Sequence, residues 1–284
     1  MSDPRSVREA RREAAARLQA AGVASPGHDA DALLAHVLGV DRGRLALLED
    51  LSPAAAEEYA ALLARREARE PLQHLVGVAW FRHVELAVGP GVFVPRPETE
   101  LLAGWAIEAA RSAEHENRTC RVVDLCTGSG AVALALSVER PDLELYAADL
   151  HPAALRCARA NLLDRAQVCV SDLFAGLPSD LRGRVDVATA NVPYVPTGEL
   201  GLLPPEARDH EPPSTHDGGE DGLDVVRRVA KQARDWLVPG GHVVVELNRR
   251  QVANARFAVA TAGLRPSVVA EDEDGTVFLA GRLG

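Results

Sequence analysis

The first part of the chain carries a helical pattern of apolar residues. From Pro4 to about Arg69 the apolar positions recur at one-turn spacing, as Leu34 and Leu38 do, with charged residues between them. Pro71 cannot continue a helix, because it lacks the backbone N–H that the helical ladder requires. We therefore predict a small domain of amphipathic helices over residues 1–75.

The pattern changes after Pro71. The stretch from Ala79 to Val94 is rich in Val, Phe and Trp, which favour extended structure, and it is interrupted by Gly89, Pro90 and Gly91. Two short β-branched and aromatic runs around a turn are typical of a β-hairpin. We predict a hairpin linker over residues 76–94.

Beyond Leu101 short apolar runs alternate with amphipathic segments. The predicted strands are 121–125, 144–149, 167–170, 185–190 and 242–246, and the predicted helices are 131–139, 152–163 and 223–236. Buried strands that alternate with helices of this length form a parallel sheet covered on both faces. Residues 95–284 are thus predicted to form an α/β domain with a Rossmann-like sheet, whose ligands bind at the carboxyl ends of the strands.

Composition and charge narrow the classes of function. The 284 residues suffice for two domains, and the 31 Lys and Arg against 41 Asp and Glu leave a net charge of −10. A general nucleic-acid binder needs an excess of cations to release condensed counterions, so we expect no direct nucleic-acid partner. The four cysteines form no CxxC pair, and no metal site is expected. No apolar run approaches the ~20 residues of a membrane span, so we expect a cytoplasmic protein without a membrane partner.

A glycine-rich turn joins the first predicted strand of the sheet to a helix. The segment reads VVDLCTGSGAVALAL, and Gly128 and Gly130 allow the backbone to approach a ligand closely. Asp149 ends the next strand, where a carboxylate can accept hydrogen bonds from ribose hydroxyls. The spacing also satisfies a dinucleotide fingerprint, which leaves a nicotinamide cofactor as an alternative. Asp124 before the turn favours S-adenosylmethionine, because a carboxylate attracts a sulfonium and an amino group but repels a pyrophosphate.

A second motif, NVPY, follows the strand VDVATA at the same predicted edge of the sheet. An amide or an exocyclic amine is a poor nucleophile, so its transfer chemistry depends on alignment. The Asn191 side-chain oxygen can accept one N–H of such a group, and a backbone carbonyl of Val192 or Pro193 can accept the other. Tyr194 can stack on the planar group. Asn191 and Tyr194 are therefore the predicted catalytic residues.

Taken together, the motifs resemble a known family. The chain is similar to the class I S-adenosylmethionine-dependent protein-(glutamine N5) methyltransferases that modify peptide chain release factors. The resemblance covers nearly the whole chain and rests on REPLQHLVG, FVPRPETE, DLCTGSGA, NVPY, DGGEDGLD and PGGHVVVEL. It implies a seven-stranded sheet that ends in an antiparallel hairpin, here over 267–270 and 277–281, and transfer of a methyl group to the glutamine of a release factor's GGQ loop.

The resemblance also implies the binding residues. The implied S-adenosylmethionine contacts are Cys126, Thr127, Gly128, Ser129, Gly130, Asp149, Leu173 and Asn191, and the implied acceptor contacts are Phe93, Asn191, Val192, Pro193 and Tyr194. Two positions depart from the family, which usually has glycine in place of Cys126 and proline in place of Val192. Val192 still precedes a proline, which biases its backbone to the extended region.

Residues 195–222 show no clear regular element and contain several prolines and the carboxylates of Glu211, Asp217, Glu220 and Asp221. A loop this long beside a predicted clamp suggests a lid with an acidic rim that attracts a basic protein substrate.

Three alternatives to a glutamine methyltransferase stay open at the level of sequence. A nucleic-acid adenine N6-methyltransferase uses a similar clamp on an exocyclic amine. A nicotinamide-dependent dehydrogenase would use only the glycine turn. A degenerate fold that binds partners without catalysis is motivated by Cys126 and Val192. We expect a monomer with a release factor as its protein partner.

Overall fold

The computed structural model describes residues 5–113 and 118–284, apart from the side chain of Arg5. The chain divides into two compact units. The first runs through Val78 and also contains Pro204–His210, and the second comprises Ala79–Leu203 and Glu211–Gly284. No helix within the described ranges is long and apolar enough to cross a membrane.

The described residues form these helices and strands. The α-helices are α1 Val7–Ala20, α2 Pro26–Leu38, α3 Pro53–Glu67, α4 Leu72–Val76, α5 Thr99–Ser112, α6 Ala131–Glu139, α7 Pro152–Leu162, α8 Pro205–His210, α9 Asp224–Trp236 and α10 Val252–Thr261. The strands are β1 Arg5–Ser6, β2 Asp50–Leu51, β3 Val78–Phe81, β4 Val84–Ala87, β5 Arg121–Leu125, β6 Glu144–Asp149, β7 Gln167–Val170, β8 Val185–Ala190, β9 Leu237–Asn248, β10 Leu264–Glu271 and β11 Thr276–Leu283.

The first unit is a small helical bundle. Leu33 and Leu34 of α2 are fully buried, and so is Leu18 of α1. The Tyr59 hydroxyl of α3 donates a 3.0 Å hydrogen bond to the Ala30 carbonyl, which satisfies the one polar atom of that buried ring. The periodicity of residues 4–69 therefore does form amphipathic helices with a common core.

Helix α8 belongs to this bundle although it lies far along the chain. Its Glu206 accepts hydrogen bonds from Arg66 at 2.9 Å and from both Nε and Nη2 of Arg69 at 2.8 and 2.7 Å. Arg66 is itself buried and donates to Asp29 at 2.8 Å. These pairs hold the pKa of Glu206 at about 2, because the two arginines outweigh its partial burial.

The second unit is built on a seven-stranded sheet of order β10-β11-β9-β8-β5-β6-β7. Strands β7, β6, β5, β8 and β9 run parallel, whereas β11 is antiparallel to β9 and β10. Helices cover both faces with separate apolar clusters. The predicted Rossmann-like α/β sheet with its terminal antiparallel hairpin is confirmed, and the chain order reverses direction at β5 and β8, which is where such sheets bind ligands.

The predicted hairpin linker is shorter than expected. Strands β3 and β4 meet at Arg82, which has a left-handed backbone with φ of 51°, and Gly89 and Gly91 lie beyond the hairpin. The Arg82 N–H donates to Glu100 at 2.8 Å, and its guanidinium binds Glu139 at 2.6 and 2.9 Å. These contacts offset the cost of a left-handed arginine.

The expectation that residues 195–222 contain no regular element is wrong. The segment holds 3-10 helices at Thr197–Leu202 and Pro213–Thr215, with α8 between them. Pro205 and Pro213 begin their helical turns, and Pro196 immediately precedes one. Proline has φ preset for a first helical turn, and the N–H that it lacks would have no partner within the helix there. The prolines that resemble a loop signal are therefore helix starts here.

Candidate active site

The register of the central strands brings the predicted motifs to one edge of the sheet. Leu125 of β5 lies beside Ala148 of β6 and Ala190 of β8. The next residue on each strand is therefore Cys126, Asp149 or Asn191, so the glycine turn, the predicted ribose carboxylate and the start of NVPY are neighbours. Continuing the register, Ala190 lies beside Val245 of β9. Glu246 consequently follows at the same edge.

The glycine turn has the backbone that its residues were predicted to provide. Gly128 and Gly130 have φ of 56° and 85°, in the left-handed region. A Cβ on Gly130 would lie 3.3 Å from the Leu162 side chain, so this glycine permits close packing of α6 on α7. A Cβ on Gly128 would meet nothing within 4 Å. The space in front of Gly128 is therefore free to receive a ligand.

Asp149 is oriented by the turn that it faces. Its Oδ2 accepts a 2.9 Å hydrogen bond from the Gly128 N–H, and its Oδ1 accepts one of 2.8 Å from the His151 N–H. A carboxylate has about four acceptor positions, so capacity remains for two hydroxyl groups of a ribose. The geometry fits a nucleoside held by this side chain.

Asp124 was expected to face the cofactor, but its carboxyl oxygens bind two threonine hydroxyls of the protein. It is buried, and its oxygens accept hydrogen bonds from the hydroxyls of Thr127 at 2.5 Å and Thr189 at 2.7 Å. Burial raises the pKa of this carboxyl to about 6. The carboxylate therefore braces the glycine turn through Thr127 and ties it to β8.

Two residues of the predicted cofactor site have left-handed backbones without being glycine. Cys126 has φ of 53° and Leu173 has φ of 54°. Leu173 is buried beside Phe174, and its carbonyl accepts a hydrogen bond from the Ser171 hydroxyl. The Cys126 side chain packs against the same apolar cluster. Its burial, together with the nearby charge of Asp149, raises the pKa of the thiol.

The NVPY segment is held from several sides. The Asn191 side-chain Nδ2 donates a 3.2 Å hydrogen bond to Thr99 Oγ1, and the Tyr194 hydroxyl donates one of 3.1 Å to Glu246. Gln251 Nε2 donates to the Tyr194 carbonyl at 2.7 Å. Val192 is buried in the apolar cluster on this face of the sheet.

The FVPRPETE segment carries Phe93 and Thr99 to the site. The Phe93 ring lies 5.7 Å from the His216 ring and 4.7 Å from the Arg96 guanidinium. Glu211 joins these groups, since it accepts hydrogen bonds from the Val94 N–H at 3.1 Å and from Arg96 at 2.8 and 2.9 Å. Phe93 therefore lies against an ion pair whose carboxylate is buried and whose guanidinium is partly exposed.

The acidic rim predicted for residues 195–222 is wrong for one of its four members, Glu211. The Glu211 side chain is fully buried, and His216 Nε2 lies 2.9 Å from it. Asp221 pairs with Arg227 at 2.5 Å, and Asp217 accepts from Thr197 at 2.7 Å. The Asp217 and Asp221 side chains remain partly exposed and Glu220 is exposed, so a rim formed by these three stays a prediction.

Comparison with known proteins agrees with these features. The family model described as PrmC N-terminal domain matches residues 9–77, and that of the methyltransferase small domain matches residues 109–199. The release factor glutamine methyltransferase of Streptomyces coelicolor is 48% identical over 82% of this chain and 82% of its own length. The chain belongs to the release factor glutamine methyltransferase family. The resemblance found in the motifs is thereby confirmed.

Other members of the release factor glutamine methyltransferase family are similar over comparable lengths. That of Mycolicibacterium smegmatis is 46% identical over 84% of both chains, and that of Deinococcus radiodurans is 39% identical over 92% of this chain and 93% of its own. Among solved structures, the catalytic domain of hMettl16 shares the fold with a TM-score of 0.53, at 13% identity over 70% of this chain and 75% of its own.

In this member of the release factor glutamine methyltransferase family, two residues beside the predicted catalytic side chains were not predicted from the sequence. Thr99 and Glu246 are buried and contact the two predicted catalytic side chains directly. Burial raises the pKa of Glu246 to about 7. A carboxylate at the end of the apolar run HVVVEL was the available signal, because buried charges need partners.

Proposed function

We propose that this protein transfers a methyl group from S-adenosylmethionine to the side-chain amide nitrogen of a glutamine in a peptide chain release factor. The observation that carries the proposal is the common edge of the sheet on which the glycine turn, Asp149 and Asn191 meet. A methyl donor and an amide would be bound there as neighbours. Membership of the family supports the same reaction.

The cofactor site would be formed by Cys126, Thr127, Gly128, Ser129, Gly130, Asp149, Leu173 and Asn191. The open space at Gly128 and the unused acceptor positions of Asp149 suit a ribose. When bound, the cofactor supplies an electrophilic methyl group on a sulfonium. The chain's contribution is to hold that group against the edge where Asn191 lies.

The acceptor glutamine would be bound by Phe93, Asn191, Val192, Pro193 and Tyr194. Asn191 Oδ1 accepts one N–H of the amide, and a carbonyl of Val192 or Pro193 accepts the other, so that the nitrogen lone pair faces the methyl group. Phe93 and Tyr194 flank the planar amide. The N–C bond forms as the C–S bond breaks and sulfur keeps the electron pair. The nitrogen then carries an extra acidic proton, which is lost to water without a dedicated base.

The test is methyl transfer from labelled S-adenosylmethionine to a purified release factor, with mass spectrometry of the modified residue. A release factor in which the GGQ glutamine is replaced by glutamate is the matched control and should take no label. Asn191→Ala should abolish transfer while the affinity for S-adenosylmethionine is retained. Label in DNA or RNA but none in the release factor would contradict the proposal and favour adenine methylation. Calorimetric binding of NAD without binding of S-adenosylmethionine would favour a dehydrogenase.

The proposal also covers the domain boundaries, the oligomeric state and the location of the protein. We propose a helical substrate-recognition domain over 1–75, a linker over 76–94 and a catalytic domain over 95–284. The first compact unit, whose N-terminal part ends at Val78, and the family model that ends at residue 77 support the end of the helical domain, although Pro204–His210 also belong to that unit. A cytoplasmic monomer without direct nucleic-acid or membrane partners is proposed as well. Light scattering after gel filtration measures the oligomeric state.

A further inference from the structure

A buried hydrogen-bond chain lies behind the proposed amide clamp. Asn191 Nδ2 donates to Thr99 Oγ1 at 3.2 Å, and that hydroxyl donates to Glu246 at 2.7 Å. Thr99 and Glu246 are 3% and 1% exposed, so water cannot replace either partner. Asn191 directly follows β8, Thr99 begins α5 and Glu246 lies in β9. The register of β8 beside β9 and the packing of α5 on the sheet bring them together.

The number of protons available in this hydrogen-bond chain determines whether the Asn191 side chain turns its NH2 group or its oxygen toward Thr99. A threonine hydroxyl has one proton and can donate once. Above pH 7 Glu246 is ionised and can only accept on both oxygens; the Tyr194 hydroxyl donates to the other oxygen at 3.1 Å. With its proton committed to Glu246, Thr99 can only accept from Asn191. The Asn191 NH2 group must therefore face Thr99, and its carbonyl oxygen Oδ1 must face away from it.

This orientation is the one that the proposed reaction requires. An acceptor glutamine presents N–H groups, which a carbonyl oxygen accepts and an NH2 group would repel. The oxygen and nitrogen of an asparagine side chain are similar in size, so packing alone selects between the two orientations poorly. A hydrogen-bond partner that can only accept selects one of them.

We propose that Thr99 and Glu246 are positioning residues, which hold the Asn191 amide with Oδ1 toward the acceptor glutamine. The inference rests on the proposed function and adds to it the residues that define the clamp. A buried carboxylate is costly, and apolar residues would pack this edge of the sheet at lower cost. The structure carries the carboxylate nonetheless, with hydroxyl donors on both oxygens.

The experiment compares Thr99→Val with Thr99→Ser in release factor methylation at pH 8, where Glu246 is ionised. Valine has the shape of threonine without the hydroxyl, so Asn191 loses its orienting acceptor. We expect kcat to fall by at least about tenfold, with little change in the KM for the release factor or in S-adenosylmethionine affinity. Serine restores the hydroxyl and should restore kcat. Ser137→Ala is the control, because it removes a buried hydroxyl that bonds only within α6.

A second pair of variants tests whether Glu246 acts through Thr99. In Glu246→Gln the new NH2 group can donate to Thr99, which frees the threonine proton for Asn191 and allows the reversed orientation. We expect kcat to fall here as well. The double variant Thr99→Val/Glu246→Gln should lose little more than the more impaired single variant, since both changes break one chain. Fully additive losses would overturn the inference, as would a Thr99→Val enzyme with wild-type kcat.

A readout that does not depend on catalysis separates this inference from the proposed function. In the wild-type protein the Asn191 side-chain NH2 is hydrogen-bonded to the buried Thr99 hydroxyl, so its hydrogen exchange, followed by NMR, should be slowed. Thr99→Val should accelerate that exchange, whereas Ser137→Ala should not. A wild-type protein that methylates no release factor would contradict the proposed function, while unchanged exchange in Thr99→Val would contradict the orientation.

Discussion

The buried carboxyl of Glu246 makes the stability of the protein depend on pH in a direction that can be worked out. Burial raises its pKa from 4.5 to about 7. Between these values the folded protein holds a proton that the unfolded chain has lost, so the stability contributed by this proton disappears as the pH rises. At about 1.4 kcal/mol for each pH unit, the full loss is about 3 kcal/mol.

Glu246→Gln removes this titration and isolates its size. The difference in free energy of unfolding between variant and wild type should shift in favour of the variant by about 2 kcal/mol from pH 5 to pH 8, the part of the loss within that range. Asp124, whose pKa burial raises to about 6, acts in the same direction but is present in both proteins. Its contribution therefore cancels in the comparison.

Tryptophan fluorescence during urea unfolding measures this difference on the correct unit, because Trp80, Trp105 and Trp236 all lie in the second unit. Dilute protein is needed near pH 5, since the isoelectric point is about 5.4. Glu85→Gln, on a solvent-exposed position of β4, is the matched control and should show no comparable shift. If the difference in free energy of unfolding between Glu246→Gln and wild type is equal at pH 5 and pH 8, the raised pKa of Glu246 is refuted.

Three further predictions concern other parts of the molecule. Glu206→Gln removes the carboxylate that binds Arg66 and Arg69, so limited proteolysis should cut residues 204–210 faster, and an unchanged cleavage rate would contradict the anchor. The Cys126 thiol, with a pKa raised by burial, should react with iodoacetamide at pH 8 far more slowly in the folded protein than after unfolding, as mass spectrometry can follow. Asp149→Asn should weaken S-adenosylmethionine binding by roughly tenfold or more in calorimetry, and equal affinity would remove Asp149 from the site.

The strands of the parallel sheet were predictable because their local pattern is strong. Residues 121–125, 144–149, 167–170 and 185–190 form strands with the predicted bounds. The runs 121–125, 144–149 and 185–190 are short and mostly buried on both faces, which leaves no competing period, whereas the edge strand 167–170 is half exposed. Strand β9 extends well beyond 242–246 at both ends, since its pairing with β11 continues to Asn248 and Pro239 and Gly240 do not end it.

The partners of the site were harder to predict than its motifs. Thr99 and Glu246 are 147 residues apart in the chain, and their contact depends on the packing of α5 against β9. Glu211 likewise resembles a solvated carboxylate until the fold places Arg96 and the Val94 N–H around it. Local patterns identify groups that can act, whereas pairing between distant segments determines which of them are free to do so.

Because α8 belongs to the helical unit, that unit cannot be completed until residues 204–210 have been synthesised. Arg69 binds Glu206, which lies 137 residues later in the chain. At about 5–20 residues per second, the ribosome supplies Glu206 roughly 7 to 27 s after Arg69, so the bundle must wait for its last helix while the sheet is still being made. Removal of residues 1–78 would leave α8 in the shortened protein without its arginine partners. Cutting the gene at that boundary therefore does not separate two self-contained pieces.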